Sequence, residues 1–391
     1  MRHYLDHAAT TPLCPEARDA WLDATETIGN ASSTHGAGQD ARRLLEESRE
    51  RVAAVLGADP IEIVFTSGGT ESINLALQGL WRSRPTETAA IVMPEAEHHA
   101  TMDTVSALLE EGAGLRRVSV TAQARIDPEN FAALLPGAAL ATALVANNEA
   151  GTINPAGRLA ALAGVAGVPL HLDAVAALGH VPLSFRSMRG DVPDGVGLVA
   201  MSLAGHKIGA PVGVGVLVVA RTARMTALLR GGAQQRGLRA GTQDVAGAAA
   251  FATAIELAET EREQEAARLA GLRDRLVTGI RSAVPAAVLL GDPTERLPGN
   301  AHVLFPGAVG ESLLFLLDVA GVAASTGSAC QAGVAEPSHV VMAMGHSERE
   351  ARSVLRFSLG RTSTGADVDA VLAVIGDVYA RASGARAGAR S

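Results

Sequence analysis

Five short stretches of this 391-residue chain hold side chains able to do chemistry. Lys207, in SLAGHKIGAP, follows an apolar run and precedes a Gly/Pro turn, so its amine can point into a cleft. A solvated surface lysine has the same local sequence. However, the chain uses lysine very sparingly, and His206 stands beside it in a loop that is otherwise small and apolar. Asp173 ends the apolar run VPLHLD; an acid there either caps a helix or balances a buried cation. TSGGTES (66–72) lies between an apolar run and the helix-like ESINLALQGLW. Gly68 and Gly69 let the backbone close on an anion while Thr70 offers a hydroxyl and an amide, the geometry of phosphate at a helix N-terminus. Any tight turn between strand and helix reads the same way. His98, in PEAEHHATMDT, again follows an apolar run. A pKa near working pH suits it to proton transfer, and a structural role fits equally. Cys330, in ASTGSACQAGVAEPSH, has the small polar neighbours of an accessible nucleophile, whereas Cys14, in TTPLCPEA, has those of a buried thiol. An unperturbed thiol is only about a few per cent thiolate at pH 7, so Cys330 needs activation.

These groups need a frame, and the apolar runs before them supply it. IEIVFTS (61–67), AAIVMPE (89–95), LATALVANNE (140–149), VPLHLDAVA (168–176), GVGLVAMSLA (195–204) and VGVGVLVVA (212–220) read as strands. Helical patterns such as QDARRLLEESRERVAAVLG (39–57) lie between several of them. Near-continuous apolar strands alternating with helices predict an α/β fold with a mostly parallel sheet covered on both faces. Ligands in such sheets sit at the carboxyl ends of the strands, where the chemical residues stand. The pattern changes near residue 255: 254–284 reads as one long charged amphipathic helix, or two, leading into a second domain. The expected organisation is an N-terminal segment 1–13 packing with the small domain, a large domain 14–255, a small domain 256–382, and a disordered tail 383–391.

Hydrophobic residues make up 48% of the chain but aromatics only 3%, so the core is built of Ala, Val and Leu. A net charge of −8 argues against a stable nucleic-acid surface or an anionic membrane. Two cysteines make neither a disulfide framework nor a zinc cluster. No signal-like region and no run of about 18 apolar residues is present, which predicts a soluble protein of a reducing cytoplasm.

An amine, a strand-end acid and an anion turn are the set that pyridoxal phosphate (PLP) requires, since the acid keeps the pyridine nitrogen protonated and the ring electron-accepting. The chain in fact resembles the cysteine desulfurases of the NifS/IscS type, within the class V aminotransferase group, nearly end to end. The likeness is carried by YLDHAATTP (4–12), GNASSTHGAG (29–38), TSGGTES, EHHA, NNEAGT (147–152), HLDA, GHK, GGAQQRGLRAGT (231–242), STGSACQAG and LRFSLGRTST (355–364). The GSAC loop followed by EPSH matches the long-loop branch. The resemblance implies PLP-dependent fold type I, with a mostly parallel seven-stranded sheet in a large domain and a smaller α+β domain. It implies that Lys207 holds the cofactor covalently, Asp173 binds the pyridinium, and His98 stacks on the ring as acid/base. Gly69, Thr70, His206 and, from a second subunit, Thr242 would hold the phosphate. Asn148 and Arg356 would bind substrate, and Cys330 would take sulfur from L-cysteine as a persulfide, leaving L-alanine. A homodimer and a sulfur-acceptor protein are implied as partners, and no metal.

The chain departs from the family pattern at two positions. Ala176 stands where a Gln is usual, and Ala204 where a phosphate-binding Ser is usual. Each loss removes a hydrogen bond of about 0.5–1.5 kcal/mol, for which Ser202 or water would have to compensate. Selenocysteine lysis, another class V lyase or aminotransfer reaction, and a low-activity structural paralogue are the competing readings. Iron–sulfur cluster assembly, tRNA thiolation, DNA phosphorothioation and sulfur-containing natural products stand open as destinations of the sulfur.

Overall fold

The computed structural model describes residues 2–327 and 336–384. Its largest sheet contains β2 (Ile63–Thr66), β3 (Ala90–Pro94), β4 (Gly114–Val118), β5 (Ala138–Leu144), β6 (Pro169–Asp173), β7 (Gly197–Ala204) and β8 (Gly215–Val219). The spatial order is β2-β8-β7-β6-β5-β3-β4. β8 runs antiparallel to both neighbours, and the other pairs are parallel. β5, β7 and β8 are buried at every residue, which is why they read as unbroken apolar runs. The mostly parallel α/β sheet expected from the sequence is therefore present.

Helices alternate with these strands: α1 (Pro15–Thr25), α2 (Gly36–Leu56), α3 (Gly69–Arg82), α4 (His99–Glu110), α5 (Pro128–Leu134), α6 (Ala156–Val165) and α7 (Phe185–Arg189). α2 ends where Gly57 takes φ +58°, a left-handed cap that favours glycine. α8 (Val245–Ala283) is one 39-residue helix, about 58 Å long at the usual rise. Its first turns, including Phe251 and Ile255, pack in the core of the large sheet, while Leu269, Leu276 and Ile280 pack in a second core.

That second core is built on β9 (Val288–Leu289), β10 (Asn300–Leu304) and β12 (Val354–Ser358), an antiparallel sheet of order β12-β10-β9. α9 (Gly310–Val319) and α12 (Gly365–Ala382) cover it, and the short α10 (His339–Ala343) and α11 (Glu348–Ala351) precede β12. The N-terminal strand β1 (His3–Tyr4) pairs in parallel with β11 (Val322–Ala323). From there the chain crosses between the cores. Leu5 is fully buried in the second one, whereas the Thr11 and Cys14 amides donate to the His206 and Gly209 carbonyls. Ser383 and Gly384 form a turn after α12; the remainder of the expected tail, 385–391, lies outside the described residues.

Candidate active site

The carboxyl ends of β2, β3, β5, β6 and β7 converge on one cavity of about 350 Å³. Gly69, Thr70, His98, Asn148, Asp173, His206, Lys207 and Arg356 all line it. Arg356 comes from β12, so the second core supplies one wall. Thr242 is exposed and does not line the cavity within one chain. Cys330 lies outside the described residues.

Lys207 sits in the 3-10 turn Gly205–Lys207 that follows β7. Its Nζ donates to the Ala8 carbonyl at 2.5 Å and to the Ala9 carbonyl at 2.9 Å. Lys207 is also the only lysine in the sequence. His206 Nδ1 lies 3.3 Å from Thr10 Oγ1. Burial, and then the Lys207 charge, push His206 down to about 4, so it meets a ligand as a neutral hydrogen-bonding group.

Asp173 is the last residue of β6 and caps a turn rather than a helix: its Oδ1 accepts from the Val175 amide at 2.9 Å. Burial raises its carboxyl from 3.8 to about 6. A cationic nitrogen brought against it would reverse that shift, as a pyridinium would. At the start of α3, Gly68 takes φ +154°, a conformation that favours glycine. Gly215 on β8 lets the turn approach, since a Cβ there would meet Gly68 Cα at 2.6 Å. The N-terminus of this 14-residue helix therefore opens towards the cavity with Thr70 beside it.

His98 differs from the sequence expectation of a pKa near working pH. Burial, followed by the Lys207 charge, depresses it to about 4. Its Nδ1 accepts from the Ala100 amide at 3.1 Å as the cap of α4, which fixes the ring proton on Nε2. It is thus a neutral imidazole of one tautomer. Ser202, one candidate to replace the missing hydrogen bonds, is engaged elsewhere. Ser202 Oγ is fully buried and lies 2.8 Å from His171 Nε2, while His171 Nδ1 lies 2.9 Å from Thr142 Oγ1. This chain of side chains ties the central strands together and leaves Ala204 and Ala176 as apolar parts of the cavity wall.

Sequence reasoning missed three polar groups here. Glu97, beside His98, is 1% exposed; its Oε1 accepts from the Leu144 amide, and burial, with the Asp173 charge adding, raises its carboxyl well above the usual range. The side-chain amide of Asn300 lines the cavity buried, without a hydrogen-bond partner among the described residues. Asp6 accepts from Arg356 Nη2 at 2.9 Å. It sits within YLDHAATTP, but 350 residues separate the pair, so only folding reveals it.

A family model described as aminotransferase class-V matches residues 3–371, and the chain belongs to that family. An IscS-like cysteine desulfurase of Mycobacterium tuberculosis (strain ATCC 25618 / H37Rv) is 47% identical over 97% of this chain and 96% of its own length. Among solved structures, a NifS-like protein matches with a TM-score of 0.89 and 31% identity, covering 97% of this chain and 100% of that one. The structure titled SspA in complex with cysteine matches with a TM-score of 0.79 and 28% identity, covering 92% and 99%. Within its family the chain is a NifS/IscS-type cysteine desulfurase. The family's fold is the PLP-dependent fold type I, and its members work through PLP.

Proposed function

We propose that this chain takes sulfur from L-cysteine with PLP held on Lys207 and passes it to Cys330. The observation that carries the reading is the convergence on one cavity of the amine of Lys207, the buried carboxyl of Asp173, the α3 N-terminus and the guanidinium of Arg356. These residues fit PLP: an amine for its carbonyl, an acid for its ring nitrogen, and helix amides with Thr70 and His206 for its phosphate. Bound PLP supplies an electron sink for the substrate Cα. The SspA neighbour with bound cysteine supports the same substrate.

Arg356 and Asn148 hold the substrate carboxylate end, and Lys207 moves the Cα proton. Neutral His98 offers its Nε2 proton or hydrogen bond and adds no charge to the site. The Cys330 thiolate attacks the substrate sulfur, the Cβ–S bond breaks, and a Cys330 persulfide and L-alanine result. A protein thiol then removes the outer sulfur. Thr242, exposed on its loop, completes the phosphate site of a second copy, making a homodimer. The absence of any helix long and apolar enough to cross a membrane among the described residues, together with only two cysteines, supports work in a reducing cytoplasm.

Two substitutions test the assignment. Cys330→Ala keeps the visible cofactor absorbance and loses sulfide release from cysteine; release at the wild-type rate overturns the nucleophile assignment. Lys207→Ala loses the absorbance of the covalently held cofactor, and an unchanged spectrum overturns the cofactor assignment.

A further inference from the structure

Arg356 is 4% exposed, and its guanidinium is held at two points. Nη1 donates to the Asn148 carbonyl at 3.0 Å and Nη2 to Asp6 Oδ1 at 2.9 Å. Nε is buried and has no hydrogen-bond partner among the described residues. A planar guanidinium fixed by both terminal nitrogens has one orientation, so its remaining donor edge points in a set direction.

Asp6 is itself held rigidly. The Leu5 amide donates to the Ala323 carbonyl, Ser358 N donates to the Leu5 carbonyl, and His7 N donates to the Ser358 carbonyl. The Tyr4 hydroxyl shares its one proton between the Asp6 carbonyl at 3.0 Å and the Thr10 carbonyl at 2.8 Å, which closes the turn that follows. Asp6 and Arg356 both line the cavity. A surface ion pair would contribute little; this one is anchored on both sides and borders the cavity.

We propose that Asp6 is a positioning residue that sets the guanidinium of Arg356 for the carboxylate of the amino-acid substrate. The inference rests on the reading of Arg356 as the substrate-carboxylate group. The carboxylate, carried on Cα, makes and breaks no bond itself, so its contacts with Arg356 change little between ground and transition states and act first on binding. Losing their geometry raises KM and leaves kcat.

The test uses the PLP-loaded enzyme and two readouts, steady-state kinetics with L-cysteine and calorimetric binding of L-alanine. Asp6→Ala raises KM and the L-alanine dissociation constant about tenfold with kcat within about twofold. Asp6→Asn, which keeps an acceptor and the shape, stays within about threefold of wild type on both. Arg356→Ala raises both constants by itself, and adding Asp6→Ala to it changes neither further. An unchanged or lowered KM in Asp6→Ala overturns the inference, as does an additive double variant; Asp6→Ser, whose shorter side chain draws the acceptor away from Arg356 Nη2, replaces it in both tests if Asp6→Ala does not fold. If Arg356→Ala binds L-alanine like wild type, the carboxylate reading of Arg356 fails as well, and the two failures are told apart.

Discussion

Asp173 is 2% exposed, and burial lifts its carboxyl from 3.8 to about 6. A raised carboxyl favours the protonated folded chain, so the contribution of Asp173 to stability is greatest at low pH and falls as pH rises from about 4 through about 6. Above that window the buried charge costs about 3 kcal/mol in the cofactor-free chain. Asp173→Asn therefore stabilises the cofactor-free protein by up to about 3 kcal/mol at pH 7, and the gain vanishes near pH 4. Urea melts at the two pH values check this, and the same variant binds PLP more weakly in a spectral titration. Glu97, whose carboxyl burial and then the Asp173 charge raise well above the usual range, has the same sign of pH dependence, and Glu97→Ala loses the bond to the Leu144 amide and costs about 1–3 kcal/mol. Of these residues the sequence discloses Lys207, Asp173 and His98 by their places at strand ends. It does not disclose the state of His98, since the depression to about 4 comes from burial and the neighbouring Lys207.

At the scale of elements, the strands buried on both faces were legible and the exposed edge was not. β4, GLRRV, carries two arginines on the edge of the sheet and has no apolar run to read. The start of α8 was hidden for a different reason: AGAAAFATA is small and apolar on every side, so no periodicity marks it, and the helix begins at Val245 rather than near 254. Helix ends carry their own tests. A Cβ at Gly57 would meet Ser184 Oγ at 2.6 Å, and φ is +58°. Gly57→Ala should cost about 1–2 kcal/mol in denaturant unfolding from the left-handed backbone, with the KM for cysteine unchanged because the residue does not line the cavity.

For the whole molecule, the two larger of the three hydrophobic clusters among the described residues share a long helix and an N-terminal crossing segment, and the cavity lies where both contribute walls. Composition foretold cores of Ala, Val and Leu, and the change of pattern near residue 255 falls inside α8, the helix that two cores share. The crossing segment was legible only as a motif, because its partners, β11, β12 and the loop after β7, are distant in sequence. Leu5 is the apolar anchor of that segment, fully buried in the second core. Leu5→Ala removes a buried side chain and costs about 2–5 kcal/mol. It should also raise KM for cysteine, since Asp6 follows it directly; denaturant melts and steady-state kinetics on one preparation measure both.

The single lysine has a consequence for how this protein meets reactive chemistry. With arginine at every other Lys/Arg position, no ammonium side chain lies outside the cavity, and Lys207 is occupied by the Ala8 and Ala9 carbonyls. Amine-selective reagents have only Lys207 and a free α-amino group as targets. Lysine-directed mass labelling of the intact protein thus becomes an occupancy meter. Under the proposed cofactor assignment, a label on Lys207 counts cofactor-free sites, and protection from it counts filled ones, without any measurement of turnover.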